Sequence, residues 1–289
     1  MPDYDTMIAG VLEAMSPISL EEMSAVQLMN RIDTKFVTTK QQVAELLRRA
    51  QDLYYVQEIN NDRLSPYRTT YFDTPDRAQY LQHHNGHANR TKVRVRTYLS
   101  SGDLTFLEVK RKNNHGRTKK KRIRLDCGAT AHDTLEWQST ATGTIFSNGE
   151  RTLTTAADLV GQRTGLPLEE MTPVVENRFE RATLVNIGKT ERLTIDFNVR
   201  FRHPTTSLSR DVGSVVVIEL KRDGNVFSPI LSVLRELHIQ PTGFSKCCIG
   251  MALTDTTLKQ NNFKQKIRLI GRLNRDETFR LRPYDDDTI

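Results

Sequence analysis

The sequence predicts an α+β fold: an antiparallel β-sheet of six or more strands, open or closed into a barrel, with helices packed on its outside. Three observations lead there. Six or more segments alternate bulky aliphatics with charged residues at period two. Three amphipathic helical stretches, near residues 40–50, 75–83 and 229–238, each need an apolar surface, and the aliphatic strand faces supply one. The charged faces are dominated by Lys and Arg, so whichever side of the sheet they occupy is strongly positive.

Taken in order, residues 1–30 place apolar side chains at Leu12, Met15, Ile18, Leu20, Met23, Val26, Leu28 and Met29, broken by Ser16-Pro17. They read as short helices outside the main domain. Arg31–Val37 is a short strand with Arg31, Asp33 and Lys35 on one face. Thr39 and Gln42 open a helix as a capping-box pair, and its stripe is Val43, Leu46, Leu47 and Ala50. Strands follow at Tyr54–Ile59 and Tyr67–Phe72. Thr74-Pro75 then starts a helix reaching about His83.

The stretch Asn89–Lys112 reads as a hairpin turning at Ser100-Ser101-Gly102-Asp103. Val93, Val95, Leu107 and Val109 form its apolar face. Lys92, Arg94 and Arg96, with Phe106, Glu108, Lys110 and Lys112, form the charged one. Arg117–Leu125 alternates Ile123 and Leu125 with Arg122 and Arg124. Residues 126–172 read as irregular to helical, with a helix near Thr155–Arg163. Three strands come next. Val174–Val185 sets Glu176, Arg178 and Glu180 on one face. Arg192–Arg202 sets Asp196, Asn198, Arg200 and Arg202 against Ile195, Phe197, Val199 and Phe201. Ser214–Arg222 sets Glu219 and Lys221 against Val216, Ile218 and Leu220. Ser228-Pro229 caps a helix, and Thr242–Ala252 is a loop entering another. The division expected is a helical segment over 1–30, the main domain over 31–253 and a polar tail over 254–289.

Composition narrows the class. The chain has 289 residues, 37% of them hydrophobic and 27% charged, with no run near the ~20 apolar residues of a membrane span. The N-terminus lacks a signal-peptide layout. Cys127, Cys247 and Cys248 are odd in number and lack C-x-x-C spacing, as in free thiols of a reducing cytoplasm, so a cytoplasmic location is expected. A net charge of +7 favours an anionic partner. If the sheet closes, Lys35, Arg94, Arg96, Lys110, Arg178, Arg200 and Lys221 line a lumen with few acids. Unpaired buried charges cost several kcal/mol each. Such a lumen must stay wet and hold a strongly anionic guest, and a chain of phosphates fits it. An open sheet would leave the same face solvated, and spacing alone leaves both arrangements standing.

The set Arg31-x-Asp33-x-Lys35, Lys92-Val-Arg94-Val-Arg96, Phe106-Leu-Glu108-Val-Lys110, Asn177-Arg178-Phe179, Val217-Ile-Glu219-Leu-Lys221 and Phe244-Ser-Lys246-Cys resembles the VTC domain. This is the polyphosphate polymerase domain of the vacuolar transporter chaperone family, bacterial type, among the triphosphate tunnel enzymes. The resemblance spans about residues 30–253. It implies an eight-stranded tunnel that transfers the γ-phosphate of ATP to a growing polyphosphate chain. By position it assigns phosphate binding in catalysis to Lys35, Arg94, Arg96, Lys110, Arg178, Arg200, Lys221 and Lys246. Arg31, Lys92, Arg122, Arg124 and Ser245 are further phosphate contacts, Ser245 at a helix start where free N–H groups favour an anion. Glu219 would ligate a divalent ion, Mn2+ or Mg2+, with phosphate oxygens and water completing the shell. Asp196 and Glu108 are the next acids of interest, Glu108 as a counter-charge for Lys110 and an arginine. Lys119-Lys120-Lys121 sits at a tunnel mouth or in a solvated turn.

Hydrolytic tunnel enzymes usually open with Glu-x-Glu-x-Lys and carry paired late glutamates. Here Arg31 and Asp33 take the first positions and Glu219 stands alone, which favours transfer over hydrolysis. A tunnel tripolyphosphatase or nucleoside triphosphatase, and a non-catalytic polyphosphate-binding module, are the alternatives. The charged faces are aromatic-poor in this reading, which argues against nucleic acid as partner. With no membrane span, any membrane link would run through a separate partner protein. Gly188-Lys189-Thr190 is not a P-loop, because Thr183 stands where the first glycine belongs. His83, His84 and His87 read as a helix-end polar cluster.

Overall fold

Period-two patterning is realised as thirteen strands among the residues described, which are all except 1–2, 25, 27–30, 115–117, 127–130, 133–137, 139–140, 148–149, 225 and 275–289 of the computed structural model. The chain opens with α1 (Tyr4–Ala14), β1 (Pro17–Ile18), α2 (Leu20–Ser24), β2 (Arg31–Thr39) and α3 (Lys40–Ala50). Next come β3 (Tyr54–Gln57), β4 (Ser65–Asp73), α4 (Ala78–His84), β5 (Arg90–Tyr98), β6 (Leu104–Lys112) and β7 (Thr118–Leu125). A hairpin of β8 (Thr142–Ser147) and β9 (Glu150–Thr155) precedes α5 (Ala156–Thr164), β10 (Thr172–Asn186), β11 (Glu191–Arg202), β12 (Ser209–Asp211) and β13 (Val215–Asp223). The helices α6 (Pro229–Glu236), α7 (Lys246–Thr254) and α8 (Lys264–Leu273) follow.

One antiparallel sheet runs β2-β13-β11-β10-β4-β5-β6-β7, with β3 and β12 added at its margins and β1 parallel to β3. One face is covered by helices, as the aliphatic stripes require. Val216, Ile218, Leu220, Ile195, Ala182 and Leu184 pack with α1, α3 and α6 in one core cluster. Val93, Val95, Leu107, Val109, Ile123 and Leu125 pack with α5 in another. Helix α1 contributes Ile8 and Leu12 to the first cluster, so the N-terminal segment shares the core of the main sheet.

The expected eight antiparallel strands and flanking helices are present, but closure is not. Among the described residues no ladder joins β7 to β2. The free edge of β2 is taken instead by the chain itself. Phe36 bridges Pro241, and the Thr242 N–H donates to the Lys35 carbonyl at 2.7 Å. Helix α6 lies on the helix-covered face and α7 on the other, so the 240–245 segment must round this edge to pass between them.

Helix α7 is therefore a second departure, because it lies inside rather than outside. It packs on the charged face in a cluster with Val175, Val199, Phe201, Val215 and Val217. Gly250 permits the approach: a Cβ there would lie 2.4 Å from Cδ1 of Phe201. Because α7 fills one end of that face, the face is apolar at one end and charged at the other. Strand β10 shows the inversion. Its odd positions run Val175 and Phe179, buried against α7, then Arg181 and Thr183; its even positions run Glu176 and Arg178, then Ala182 and Leu184.

Local differences have local causes. The 126–172 stretch carries the β8–β9 hairpin, and the polar tail carries α8, whose Ile270 packs against the α7 cluster. Helix α4 begins at Ala78, not at Thr74-Pro75, because the Asp73 carboxylate accepts the Gln79 and Tyr80 N–H groups, both at 2.9 Å. Cys247 and Cys248 are buried and free, while Cys127 lies outside the described residues.

Candidate active site

Ladder register decides which side chains share the charged face. Lys35 stands opposite Glu219, and Arg181 opposite Asp196. On the other half, Tyr71, Arg94, Glu108 and Arg122 form one row, and Thr69, Arg96, Phe106 and Arg124 the next. Lys92, Lys110 and Lys120 make a third.

Three carboxylates organise the cations. Glu219 receives Lys35 on one oxygen and Lys221 on the other, each at 2.9 Å. Asp196 holds Arg181 in a fork, Nε to Oδ1 at 2.6 Å and Nη2 to Oδ2 at 2.9 Å, and also takes the Lys246 ammonium. Glu108 accepts Arg94 Nε at 2.7 Å and Lys120 at 3.0 Å. Lys92 donates to Ser245 Oγ at 2.7 Å, and that hydroxyl caps α7 by accepting the Cys248 N–H. Arg96 donates to Thr69 at 3.1 Å and lies over Tyr67 and Phe179. Among the described residues, and leaving aside the exposed Arg122 and Arg124, nine cations thus meet four acids, counting Asp33 opposite Lys221.

Positive charge in excess leaves a titration signature. Burial, then Arg94 and Arg96, push the Lys110 ammonium well below the usual lysine range. Burial brings Lys246 down to about 8, with Asp196 offsetting part of the fall. Burial would raise the three carboxyls, but their cations prevail: Lys221 and Lys35 at Glu219, Arg181 and Lys246 at Asp196, Arg94 and Arg96 at Glu108. All three sit below the ordinary carboxylate range.

Of the residues singled out from sequence, Lys35, Lys92, Arg94, Arg96, Lys110, Glu219, Lys221, Ser245 and Lys246 meet on this face. Arg122 and Arg124 share it at an exposed rim, Arg122 over the Phe106 ring at 4.2 Å and Arg124 at 3.8 Å from Asp126. Arg178 and Arg200 do not belong to it. They stand opposite one another on the helix-covered side, Arg178 at 3.1 Å from Glu176 and Arg200 at 3.1 Å from Asp211. The cause is a bulge. Between Arg178–Arg200 and Glu180–Phe197 the β11 strand carries one extra residue, and Asn198 takes a positive φ of 51°. Asp196 therefore faces the cations while Arg200 and Arg202 turn away. The Arg31 side chain lies outside the described residues; its backbone pairs with Asp223.

Arg181 was missed by the sequence reading, which followed the even positions of β10. Its signal was the odd row Phe179-Arg181-Thr183. The charged face is also richer in aromatics than expected: Tyr67, Tyr71, Tyr98, Phe106 and Phe179 all lie on it. Tyr67 stacks on Phe179 with centroids 5.1 Å apart.

Glu219, the carboxylate expected to ligate a divalent cation, has both oxygens taken by lysines. Among the described residues no group of three His, Cys, Asp or Glu is placed to hold a metal. Glu219 could serve as a metal ligand only if Lys35 and Lys221 released its oxygens.

The VTC domain family profile matches residues 30–255. The chain belongs to the VTC domain family. Solved structures match this VTC domain at low identity. A Hippeastrum protein, described as a candidate adenylyl cyclase with a dominant triphosphatase activity, is 14% identical, covers 81% of this chain and 99% of its own, and superposes with a TM-score of 0.50. A candidate adenylate cyclase from Bacillus halodurans is 15% identical over 75% of this chain and 96% of its own, with a TM-score of 0.47. No curated protein matches the sequence. Among the described residues, no helix of the VTC domain is long and apolar enough to cross a membrane.

Proposed function

We propose that this VTC domain is an ATP-dependent polyphosphate polymerase. The observation that carries the reading is the cationic face, where among the described residues nine cations, all but Lys120 buried or half-buried, meet four acids, with the N-terminus of α7 and Lys246 set into it. That surface matches a linear, multiply charged phosphate chain and no neutral substrate. A polyanion touching Lys35 on β2 and Lys120 on β7 would draw the two sheet edges together and complete a tunnel. The acceptor is the terminal phosphate of the chain: its oxygen bonds to the γ-phosphorus of ATP, the bond to the bridging oxygen breaks, and ADP leaves with that electron pair. Arg94, Arg96, Arg181 and Lys246 hold two mutually repelling polyanions in line, which is the main barrier. Lys35, Lys110 and Lys221 bind further oxygens, with Lys92, Arg122, Arg124, Arg31 and Ser245 as outer contacts. A divalent ion, Mn2+ or Mg2+, would be held by Glu219 and phosphate oxygens and would neutralise charge on the phosphates.

The small number of carboxylates on this face among the described residues, Asp33, Glu108, Asp196 and Glu219, favours transfer over hydrolysis, since a water-activating metal pair is held by several carboxylates. The second reading, a tripolyphosphatase, takes its support from the activity described for the Hippeastrum protein of like fold. Purified protein with ATP and Mn2+ separates them: long chains on a gel are expected, and free phosphate without chains would sink the polymerase. A non-catalytic binding module would show no turnover, and its polyphosphate affinity would survive Glu219→Gln and fall with salt. The free, buried Cys247 and Cys248 support a reducing compartment, so the reaction is placed in the cytoplasm.

A further inference from the structure

A chain of aromatic rings runs along the charged face from its rim to its interior. Phe106 meets Tyr98 edge to face, with centroids 6.0 Å apart and planes at 88°. Tyr98 meets Tyr67 at 5.1 Å, and Tyr67 lies parallel to Phe179 at 5.1 Å. The two ends of this chain differ. Tyr67 and Phe179 are buried and flanked by the Arg96 and Arg181 guanidinium groups. Tyr98 and Phe106 are half-buried, at the end of the hairpin away from α7, and Phe106 carries the exposed Arg122 guanidinium over its ring.

We infer that the Tyr98–Phe106–Arg122 corner is a stacking platform for the base of a nucleoside triphosphate. This rests on the reading that the triphosphate lies among the buried cations. An aromatic edge-to-face pair with a guanidinium above it offers flat, polarisable surface and positive charge, which suits a nucleobase and gives inorganic polyphosphate nothing to stack on. The spacing along the strand is right for both parts of one nucleotide. From Phe106, Glu108 with its Arg94 and Lys120 partners is two residues on, roughly 7 Å, and Lys110 is four, roughly 14 Å. A base at Phe106 therefore leaves its phosphates beside Arg94, Lys120 and Lys110. The corner would distinguish the donor, which carries a base, from the acceptor chain, which does not.

The test measures calorimetric affinity for ATP and for inorganic tripolyphosphate, without turnover, in EDTA. Phe106→Leu keeps apolar volume but removes the ring. It is expected to weaken ATP at least about 5-fold while leaving tripolyphosphate within about 2-fold. Phe106→Trp, with the larger ring, is expected to tighten ATP alone. Equal weakening of both ligands by Phe106→Leu would show a merely structural ring and overturn the platform. Unchanged ATP affinity in both variants would overturn it too. If the unsubstituted protein binds neither ligand, the cationic-site reading fails first and the platform falls with it; tripolyphosphate binding with no ATP-specific effect sinks the platform alone.

Discussion

Arg178 and Arg181 lie on one strand, yet one faces the covering helices and the other the cationic cluster. Their substitutions are expected to differ accordingly. Arg181→Lys loses the fork to Asp196, and tripolyphosphate affinity is expected to fall roughly tenfold or more; Arg178→Ala is expected to leave it within about 2–3-fold, since only Coulomb forces through the sheet remain. Titration calorimetry on both variants decides, and equal losses would refute the placement. Lys246 provides a pH test. Its folded-state pKa of about 8 lies below the ordinary lysine value, so the ammonium begins to lose its proton as pH rises through 8. Triphosphate affinity is then expected to fall between pH 7 and 9. Lys246→Arg is expected to remove this lysine's share of that fall, leaving only what Lys110 and Lys221 contribute. Asp196→Asn removes the carboxylate that supports the ammonium, so the fall moves to lower pH. For folding alone the sign is opposite: above pH 8 the unfolded chain binds more protons at this group, so its contribution to stability rises with pH.

At the scale of elements, β11 and α7 carry the arrangement. The Asn198 bulge lets an unbroken series of odd-numbered apolars, Ile195 to Phe201, serve both faces of the sheet: Ile195 and Phe197 on the helix-covered side, Val199 and Phe201 against α7. A β-branched residue at a φ of 51° pays a left-handed penalty, so Asn198→Val is expected to cost about 1–2 kcal/mol in urea unfolding. Asn198→Gly spares it the conformational penalty and loses only the hydrogen bond to Glu180. Helix α7 depends on Gly250, where a methyl would overlap Phe201 and press Val175 at 3.0 Å. Gly250→Ala is expected to lower stability by about 1–3 kcal/mol and, by lifting α7, to pull Lys246 from Asp196. A thermal melt with a tripolyphosphate titration reads both effects.

The whole molecule concentrates positive charge in its interior, and two bulk properties follow. Glu108, Asp196 and Glu219 all have folded-state carboxyls below their ordinary range. Their stabilisation is present above the unfolded carboxylate value and is lost as pH falls through the folded one. Acid unfolding is therefore expected to steepen below about pH 4, and tripolyphosphate is expected to delay it. Near neutrality, tripolyphosphate should raise the melting temperature well beyond chloride at equal ionic strength, because it binds the folded cationic face alone. Equal shifts would mean that the interior holds no specific anion.

Much of this was open to reading along the chain. Alternation at period two is a local property, so Val93–Val95 against Arg94–Arg96 already showed one apolar and one charged side of the hairpin. The helix stripes on α3 and α6 needed the apolar side, and the motifs from Arg31 to Lys246 carried the family resemblance. What alternation cannot report is which side of the sheet a given residue ends on once a strand acquires an extra residue. It fails likewise where a helix occupies the polar side. The bulge at Asn198 moved Arg200 out, and α7 reversed the polarity along β10, exchanging Arg178 for Arg181. Neither cause is local to the residues it relocates. The sequence by itself determined the strands of the main sheet, the cationic excess and the family. Only tertiary structure decided which cations face each other, because register and face are set between strands and not along them.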